Sequence, residues 1–271
     1  MIITKAPFRM SFFGGGTDME SFFKENGGAV LSTTFDKYCY VNVRHLPRFF
    51  DYSTELSYSK TERVTNIDDI QHPAIRNAMK MLDMHEIRLT YEADLPALSG
   101  LGTSSSFAVG MLNAFYALKG KYADKKKLAD EAIYLERNLC QEAAGKQDKT
   151  AKMKEMLALV DDAERVLTDK NADLDDFGRM LDHTWKLKRQ TGAAVSTNSI
   201  DELYDRGIAA GALGGKLLGA GGGFLVFYVQ PDRQDPVRSA MRDLMHIPFE
   251  IEDGGTRVIH YTPEVYEPKM N

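Results

Sequence analysis

The most informative stretch of this sequence reads Pro96-Ala97-Leu98-Ser99-Gly100-Leu101-Gly102-Thr103-Ser104-Ser105-Ser106. Gly100 and Gly102 remove side chains where a backbone must come close to a ligand, and glycine tolerates a positive φ. The apolar run over residues 107–115 predicts a buried helix directly after the loop. Because free N–H groups and the helix dipole both face a ligand at a helix N-terminus, this arrangement predicts an anion site, most naturally for a nucleotide phosphate. An ordinary serine N-cap is the alternative.

The segments around this loop predict interleaved strands and helices. Alternating apolar and polar residues over 87–92 predict a strand that leads directly into the loop. Similar reasoning predicts strands over 2–13 and 29–46, helices over 124–139, 151–167, 174–188 and from a capping box at Ser199, a strand pair over 216–229, and a closing hairpin of 249–251 with 257–261. Because no regular strand–helix repeat appears, an α+β fold is favoured over a doubly wound sheet.

Composition restricts the class of protein. The 271 residues suffice for one large domain or two ordinary ones, and 43% hydrophobic with 27% charged residues is typical of a globular protein. A net charge of −5 argues against a nucleic-acid or anionic-membrane surface. Two cysteines, no signal peptide and no stretch long enough to span a bilayer predict a cytoplasmic protein.

The first of three glycine segments in chain order, Gly14-Gly15-Gly16-Thr17-Asp18, follows the first predicted strand, and the loop described above is the middle segment. Its glycine amides can hold a polar ligand while Asp18 accepts hydroxyl groups and Arg9 supplies positive charge. The alternative is a plain turn in which Asp18 caps the helix that follows.

A third glycine segment lies near the C-terminal end and contains Gly219, Gly221, Gly222 and Gly223 after Lys216. Such glycine density suits a close approach of the backbone to a ligand or to another loop. The alternative is a glycine-weakened strand edge or bulge.

Two acids between the middle and third glycine segments suit phosphoryl transfer. That reaction needs the phosphates held, Mg²⁺ placed, and one group that orients and deprotonates the attacking hydroxyl. Asp148 is a candidate for the last role and Glu136 for a metal ligand. Taken alone, each is as well interpreted as a solvated surface carboxylate.

Together and in this order, the three segments resemble the three motifs of the GHMP kinases, the superfamily of galactokinase, homoserine kinase and mevalonate kinase. The middle segment is similar to the family pattern Pro-x-x-x-Gly-Leu-Gly-Ser-Ser-Ala, with Thr103 and Ser104 at its two serines. The Gly-Gly-Gly-Thr-Asp sequence over 14–18 most resembles the sugar-1-kinase branch that acts on D-glycero-D-manno-heptose 7-phosphate.

The resemblance implies a two-lobed α+β fold. An N-terminal lobe with a left-handed βαβ unit is expected over residues 1–150, and a ferredoxin-like C-terminal lobe over residues 151–271.

The resemblance also implies roles for individual residues. Asp148 would be the base that deprotonates the anomeric hydroxyl, and Arg9 would stabilise the charge. Ser104 and Glu136 would hold Mg²⁺. The ATP phosphates would be wrapped by Gly100, Leu101, Gly102, Thr103, Ser104 and Ser105. The sugar would be held by Gly14, Gly15, Gly16, Thr17, Asp18, Gly221 and Gly222.

The expected function is therefore an ATP- and Mg²⁺-dependent kinase of the anomeric hydroxyl of a heptose 7-phosphate. Two alternatives stay open: a kinase of an unphosphorylated sugar such as fucose or galactose, and a non-catalytic sugar- and nucleotide-binding protein. Candidate contacts to a sugar phosphate are Lys186, Lys188 and Arg189, although such a cluster is usually a solvated helix face.

The chain departs from the family pattern after Asp148. In the family, strands that complete the sheet follow this position, whereas here a predicted helix begins almost at once, at residue 151.

Overall fold

A computed structural model describes residues 1–97, 99–140, 150–191, 195–219 and 223–263 of the chain. Strands in these ranges are β1 (Ile2–Phe13), β2 (Leu31–His45), β3 (Thr54–Ser57), β4 (Thr61–Val64), β5 (Ile87–Ala93), β6 (Gly214–Leu218), β7 (Phe224–Tyr228) and β8 (Arg257–Tyr261). Helices are α1 (Glu20–Asn26), α2 (Pro73–Met81), α3 (Thr103–Leu118), α4 (Lys125–Tyr134), α5 (Thr150–Thr168), α6 (Leu174–Arg189), α7 (Asn198–Ala209) and α8 (Gln234–Ala240).

Six strands form one mixed sheet in the order β4-β3-β5-β2-β1-β8. All neighbours in it are antiparallel except β3 and β5, which run parallel and are connected through β4 and α2. A parallel pair needs such a crossover, since a tight turn cannot return the chain in the same direction. The other described sheet is the antiparallel pair β6 and β7. The α+β class expected from the sequence is confirmed.

Most sequence-predicted elements occur near their expected positions, and two predictions are wrong. Residues 249–251 do not form a hairpin with β8: Ile251 bridges Phe35 of β2, and β8 pairs with β1. The fourth helix is capped by Thr197, whose hydroxyl accepts from the Ile200 N–H at 3.4 Å, rather than by Ser199. Both errors arose because local sequence does not show which distant strand or which neighbouring hydroxyl is the better partner.

The main core lies between this sheet and the helices that cover it. Helix α3 is buried along much of its length and packs against β1 and β2. A second core joins Phe8 and Phe35 to Leu101 and Leu218, so it connects the sheet to two of the glycine segments. The strand β1 thus places its C-terminal end where all three glycine segments can meet.

The second half of the chain packs its helices tightly onto β6 and β7. Gly178 of α6 lies so close to this pair that a Cβ there would come 2.6 Å from the Tyr228 ring. A Cβ at Gly214 would come 1.9 Å from the Gly178 carbonyl oxygen. Glycine is therefore required here by close approach of a helix to a strand, and not by a turn.

No helix within the described ranges is both long and apolar enough to cross a membrane.

Candidate active site

The N-terminus of α3 is shaped as an anion site. Its N-cap residue, Gly102, has a left-handed backbone with φ of 69°, and no described side chain caps this end of the helix. The serine N-cap alternative is therefore wrong. Ser106 donates to the Pro7 carbonyl oxygen at 2.8 Å, which fixes the first turn against β1. Thr103, Ser104 and Ser105 form the first turn beyond that cap, where N–H groups have no helical acceptor.

Arg9 lies directly against this loop. Its backbone N–H donates to the Leu101 carbonyl oxygen at 3.0 Å, and a Cβ at Gly102 would come 2.7 Å from its Cγ. The Leu101 side chain is buried in the second core and anchors the loop there. Any contribution of Leu101 to a bound nucleotide would come from its backbone, whereas the exposed Arg9 guanidinium is available to a ligand.

The middle and third glycine segments touch through their backbones. A Cβ at Gly100 would come 2.2 Å from the Gly219 Cα, and a Cβ at Gly219 would come 2.5 Å from the Gly100 Cα. A Cβ at Gly223 would likewise come 2.7 Å from the Ser99 carbonyl oxygen. The glycine density of the third segment therefore serves close approach to another loop. The predicted sugar contacts Gly221 and Gly222 lie outside the described residues.

The first glycine segment is held in shape by Thr17. This residue is fully buried, and its hydroxyl lies 2.8 Å from the carbonyl oxygens of both Gly14 and Ala29. A Cβ at Gly14 would come 2.0 Å from the Ala29 oxygen, so the loop is closely packed on that side. A Cβ at Gly15 would meet no described atom within 4 Å, which leaves Gly15 on the open side of the loop.

Asp18 is exposed at the end of the same loop and does not cap α1. Its Oδ1 accepts from the Gly16 N–H at 3.0 Å, while the N-cap of α1 is Met19, with no described side chain bonded to it. The helix-capping alternative for Asp18 is therefore wrong. Arg137 donates to the Asp18 carbonyl oxygen at 3.4 Å, which brings the segment after α4 to this loop.

Glu136 lies at the anion site, and not on a solvated helix face. It belongs to a π-helical turn, Leu135–Leu139, that continues α4, and it accepts from the Ser105 hydroxyl at 3.2 Å. Ser104 is exposed one residue before Ser105. A π turn shifts side chains relative to an α-helix and often occurs at functional sites.

The residues predicted to hold Mg²⁺ fit that ion in chemistry. Carboxylate and hydroxyl oxygens are the ligands that Mg²⁺ takes, and this ion keeps several waters and binds substrate phosphates. No group of three or more His, Cys, Asp or Glu suited to a metal occurs among the described residues. Asp148, the predicted base, lies outside the described residues.

Lys216 connects the third segment to the first. Only 2% of it is exposed, and its ammonium group donates to the carbonyl oxygens of Ser11 at 2.7 Å and Phe12 at 3.1 Å. Burial, and then the positive charge of Lys188, lower the pKa of Lys216 to about 7. Sequence reasoning assigned no role to this residue. The available signal was a lysine within a strand, β6, that is otherwise apolar and glycine-rich.

Lys188 of α6 also faces the glycine segments. Its ammonium group donates to the Gly219 carbonyl oxygen at 3.1 Å. Burial lowers the pKa of Lys188, and the Asp18 carboxylate opposes that shift. The other two predicted phosphate contacts pair with acids: Lys186 with Asp182 and Arg189 with Asp201.

A separate cleft of about 790 Å³ lies elsewhere on the protein, lined by residues that include Arg48, Lys80 and Glu86. Its charged side chains pair with one another, as in Arg48 with Glu86 and Lys80 with Asp68. It contains none of the glycine segments, so the chemistry predicted from the sequence does not belong to it.

The three glycine segments thus form one site, in which a helix N-terminus, exposed Arg9 and two part-buried or buried lysines surround the loops. Among the described residues of the three glycine segments and of the turn Leu135–Leu139, the acids are Asp18 and Glu136. Positive groups and free N–H groups of this kind suit phosphate-bearing ligands.

Two family models match this chain. The model described as GHMP kinases N terminal domain matches residues 70–155, and the model described as GHMP kinases C terminal matches residues 161–247.

A curated relative, the D-glycero-alpha-D-manno-heptose 7-phosphate kinase of Campylobacter jejuni, is 24% identical over 317 residues, covering 89% of this chain and 93% of the relative. That alignment is longer than the 271-residue chain, so the relative carries residues without a counterpart here.

Solved structures share the fold. A D-glycero-D-manno-heptose 1-phosphate kinase from Bacteroides thetaiotaomicron superposes with a TM-score of 0.76 at 22% identity, covering 98% of this chain and 100% of that one. The Lactococcus lactis galactokinase complexed with galactose superposes with a TM-score of 0.66 at 13% identity, covering 95% of this chain and 92% of that one.

Proposed function

The chain belongs to the GHMP kinase family, and from that premise we propose that it transfers the γ-phosphoryl group of ATP to the anomeric hydroxyl of a heptose 7-phosphate. The similarity to heptose phosphate kinases in sequence and in fold supports this choice of acceptor. The observation that carries the proposal is the backbone contact of Gly100 with Gly219 beside Arg9, which joins a phosphate-type loop to the other two glycine segments.

Residues of the chain would divide the work as follows. The N–H groups at the start of α3 bind the ATP phosphates, because they lack helical acceptors and lie at the positive end of the helix dipole. The open glycine loop around Gly15 receives the sugar, with the Asp18 carboxylate accepting hydrogen bonds from its hydroxyl groups. Arg9 lies at the phosphate loop and stabilises charge on the transferred group.

Asp148 would act as the base. As the anomeric oxygen forms its bond to the γ-phosphorus, the bond from that phosphorus to the bridging oxygen of ADP breaks, and the hydroxyl proton passes to the Asp148 carboxylate. This assignment rests on the family resemblance of the sequence around Asp148. The helix that follows begins at Thr150, so the departure from the family pattern starts immediately after the proposed base.

Ser104 and Glu136 would hold Mg²⁺, which neutralises phosphate charge when bound. The hydrogen bond from Ser105 keeps the Glu136 carboxylate at the start of α3. In this way the turn after α4 is oriented toward the phosphates.

We also propose the lobe division made from the sequence, 1–150 and 151–271. Among the described strands of the six-stranded sheet, β8 departs from this division, because it comes from the second half of the chain and pairs with β1.

The test is release of ADP from ATP and Mg²⁺ in the presence of D-glycero-D-manno-heptose 7-phosphate, galactose or fucose. Turnover with the heptose phosphate alone is expected. Turnover with galactose or fucose instead would change the acceptor, and no turnover with any of them by a folded protein that binds ATP would rule out the kinase.

Asp148→Asn serves as the variant without a base, and it is expected to lower kcat by at least about 100-fold, since general base catalysis contributes on this order. Asp161→Asn, at an exposed position of α5, is the matched control and should leave kcat unchanged.

A further inference from the structure

Lys188 places a half-buried ammonium group beside the glycine segments. Its stem is half-buried along α6, and its ammonium group donates to the Gly219 carbonyl oxygen at 3.1 Å. Gly219 in turn packs against Gly100 of the phosphate-type loop. The ammonium group thus lies where the middle and third glycine segments meet.

Among the described residues, Lys188 forms no ion pair with a carboxylate within 4.0 Å. Its neighbours on the same helix differ. Lys186 holds Asp182 at 2.7 Å, and Arg189 holds Asp201 at 3.0 Å. The C-terminal end of α6, residues 186–189, therefore carries two cations with carboxylate partners, Lys186 and Arg189, and one cation, Lys188, that faces the glycine segments.

Removing an ammonium group from water is costly unless an anion or several hydrogen bonds compensate. Among the described residues Lys188 has one hydrogen-bond acceptor, the Gly219 carbonyl oxygen, whereas an ammonium group has three N–H donors. The nearby positive charge of Lys216 adds to the cost, and the Asp18 carboxylate offsets part of it. The Lys188 ammonium group is therefore suited to bind an anionic group of a ligand.

We propose that Lys188 is a phosphate-binding residue, whose ammonium group receives a phosphate carried by a substrate. Two sources share that chemistry: a phosphate of ATP, bound by the loop that Gly219 touches, and the phosphate of a sugar-phosphate acceptor, bound on the side of Asp18. A second phosphate subsite beside the α3 N-terminus lets one site hold two phosphate-bearing substrates. The inference rests on the proposed function only in the choice of probes.

The experiment is calorimetric titration of the full-length protein and Lys188→Gln with ATP, with D-glycero-D-manno-heptose 7-phosphate and with the same heptose lacking its phosphate. Glutamine keeps an N–H donor and removes the charge. Loss of a charge-assisted hydrogen bond predicts a Kd raised by about 10- to 100-fold for a phosphorylated ligand. A change for ATP identifies the nucleotide phosphate as the source, and a change for the heptose phosphate but not the plain heptose identifies the acceptor's phosphate.

Lys186→Gln, two residues earlier on the same helix, is the matched control and should bind every ligand as the unmodified protein does. Lys188→Arg restores the charge and should recover most of the affinity, which a purely structural role in holding Gly219 would not require. Should Lys188→Gln fail to fold, Lys188→Met provides the same test without a polar group to bury.

Unchanged affinity of Lys188→Gln for both phosphorylated ligands overturns the inference, as does an unmodified protein that binds neither. The proposed function fails separately, through absence of turnover with the heptose phosphate. A protein that binds ATP but no sugar phosphate would leave Lys188 tested through ATP alone.

Discussion

At the scale of single residues, the site depends on two glycines that have no side chain and on one buried lysine. Gly100 and Gly219 let two backbones meet because neither carries a Cβ, and the Gly100 backbone also has a positive φ of 75°. Lys216 has the opposite character, since it brings a charge into the interior and links β6 to the end of β1. The site therefore requires close approach of two backbones at Gly100 and Gly219 and burial of the Lys216 ammonium group.

Gly100→Ala should destabilise the protein and weaken ATP binding at least about tenfold, since an added Cβ would lie 2.2 Å from the Gly219 Cα and the loops must separate. Gly120→Ala is the control, because Gly120 shares a positive φ, 64°, but a Cβ there would meet no described atom within 4 Å. It should show only the backbone strain, about 1–3 kcal/mol, with ATP affinity unchanged. Equal effects of the two substitutions on ATP binding would contradict the contact.

Lys216 should make stability depend on pH above neutrality. Its pKa is lowered to about 7 in the folded protein, so between pH 7 and its unfolded pKa near 10.5 the unfolded chain binds more protons. Stability from this group therefore rises with pH across that window, by up to about 1.4 kcal/mol per pH unit. Urea unfolding at pH 7, 8 and 9 should show a smaller rise for Lys216→Met. Parallel pH dependences in the two proteins would show that Lys216 does not titrate there.

At the scale of elements, the site is formed by the ends of a strand and a helix, and by tight packing of helices on the second sheet. The C-terminal end of β1 and the N-terminus of α3 are held together by Arg9 with Leu101 and by Ser106 with Pro7. Helix α6 packs closely against β6 and β7 at Gly178, and the same helix carries Lys188.

Gly178→Ala tests whether close packing outweighs helix propensity. Alanine at an ordinary helix position would stabilise by about 1 kcal/mol, but here its Cβ would come 2.6 Å from the Tyr228 ring. Overpacking typically costs about 1–3 kcal/mol, so a net loss of unfolding free energy is expected in urea denaturation. A gain in stability would mean that α6 can move away from β7 at little cost.

At the scale of the molecule, the chain closes on itself. The strand β8 leaves the second half of the sequence and pairs with residues 2–5 of β1, while Glu252 accepts from the Tyr38 hydroxyl at 2.5 Å and fixes the approach. The six-stranded sheet is therefore complete only when late residues have returned to the first strand.

A chain ending at Gly255 should lose stability and associate with itself, because it exposes the paired edge of β1. A chain ending at Pro263 keeps β8 and is the control. Sedimentation velocity and thermal unfolding of both would decide the matter. If the chain that ends at Gly255 is monomeric and has an unchanged Tm, β8 contributes little to stability.

Local patterns in the sequence predicted most elements, because strand alternation and helical spacing are local properties. They also identified the glycine loops and Arg9 as one candidate site. They did not reveal that β8 pairs with β1, that Ser105 rather than Ser104 bonds Glu136, or that Lys216 is buried. Each of these depends on residues distant in sequence, and no spacing rule within a segment reports such contacts.

The contact of Gly100 with Gly219 has a consequence for how this protein can vary. In most packed pairs, a larger side chain on one partner is tolerated once the other becomes smaller. Here both partners are glycines, and neither has a side chain that could become smaller. A substitution at one position therefore cannot be compensated by a change at the other. The two positions, in opposite halves of the chain, are therefore constrained independently, and any family of functional variants must explore sequence around them.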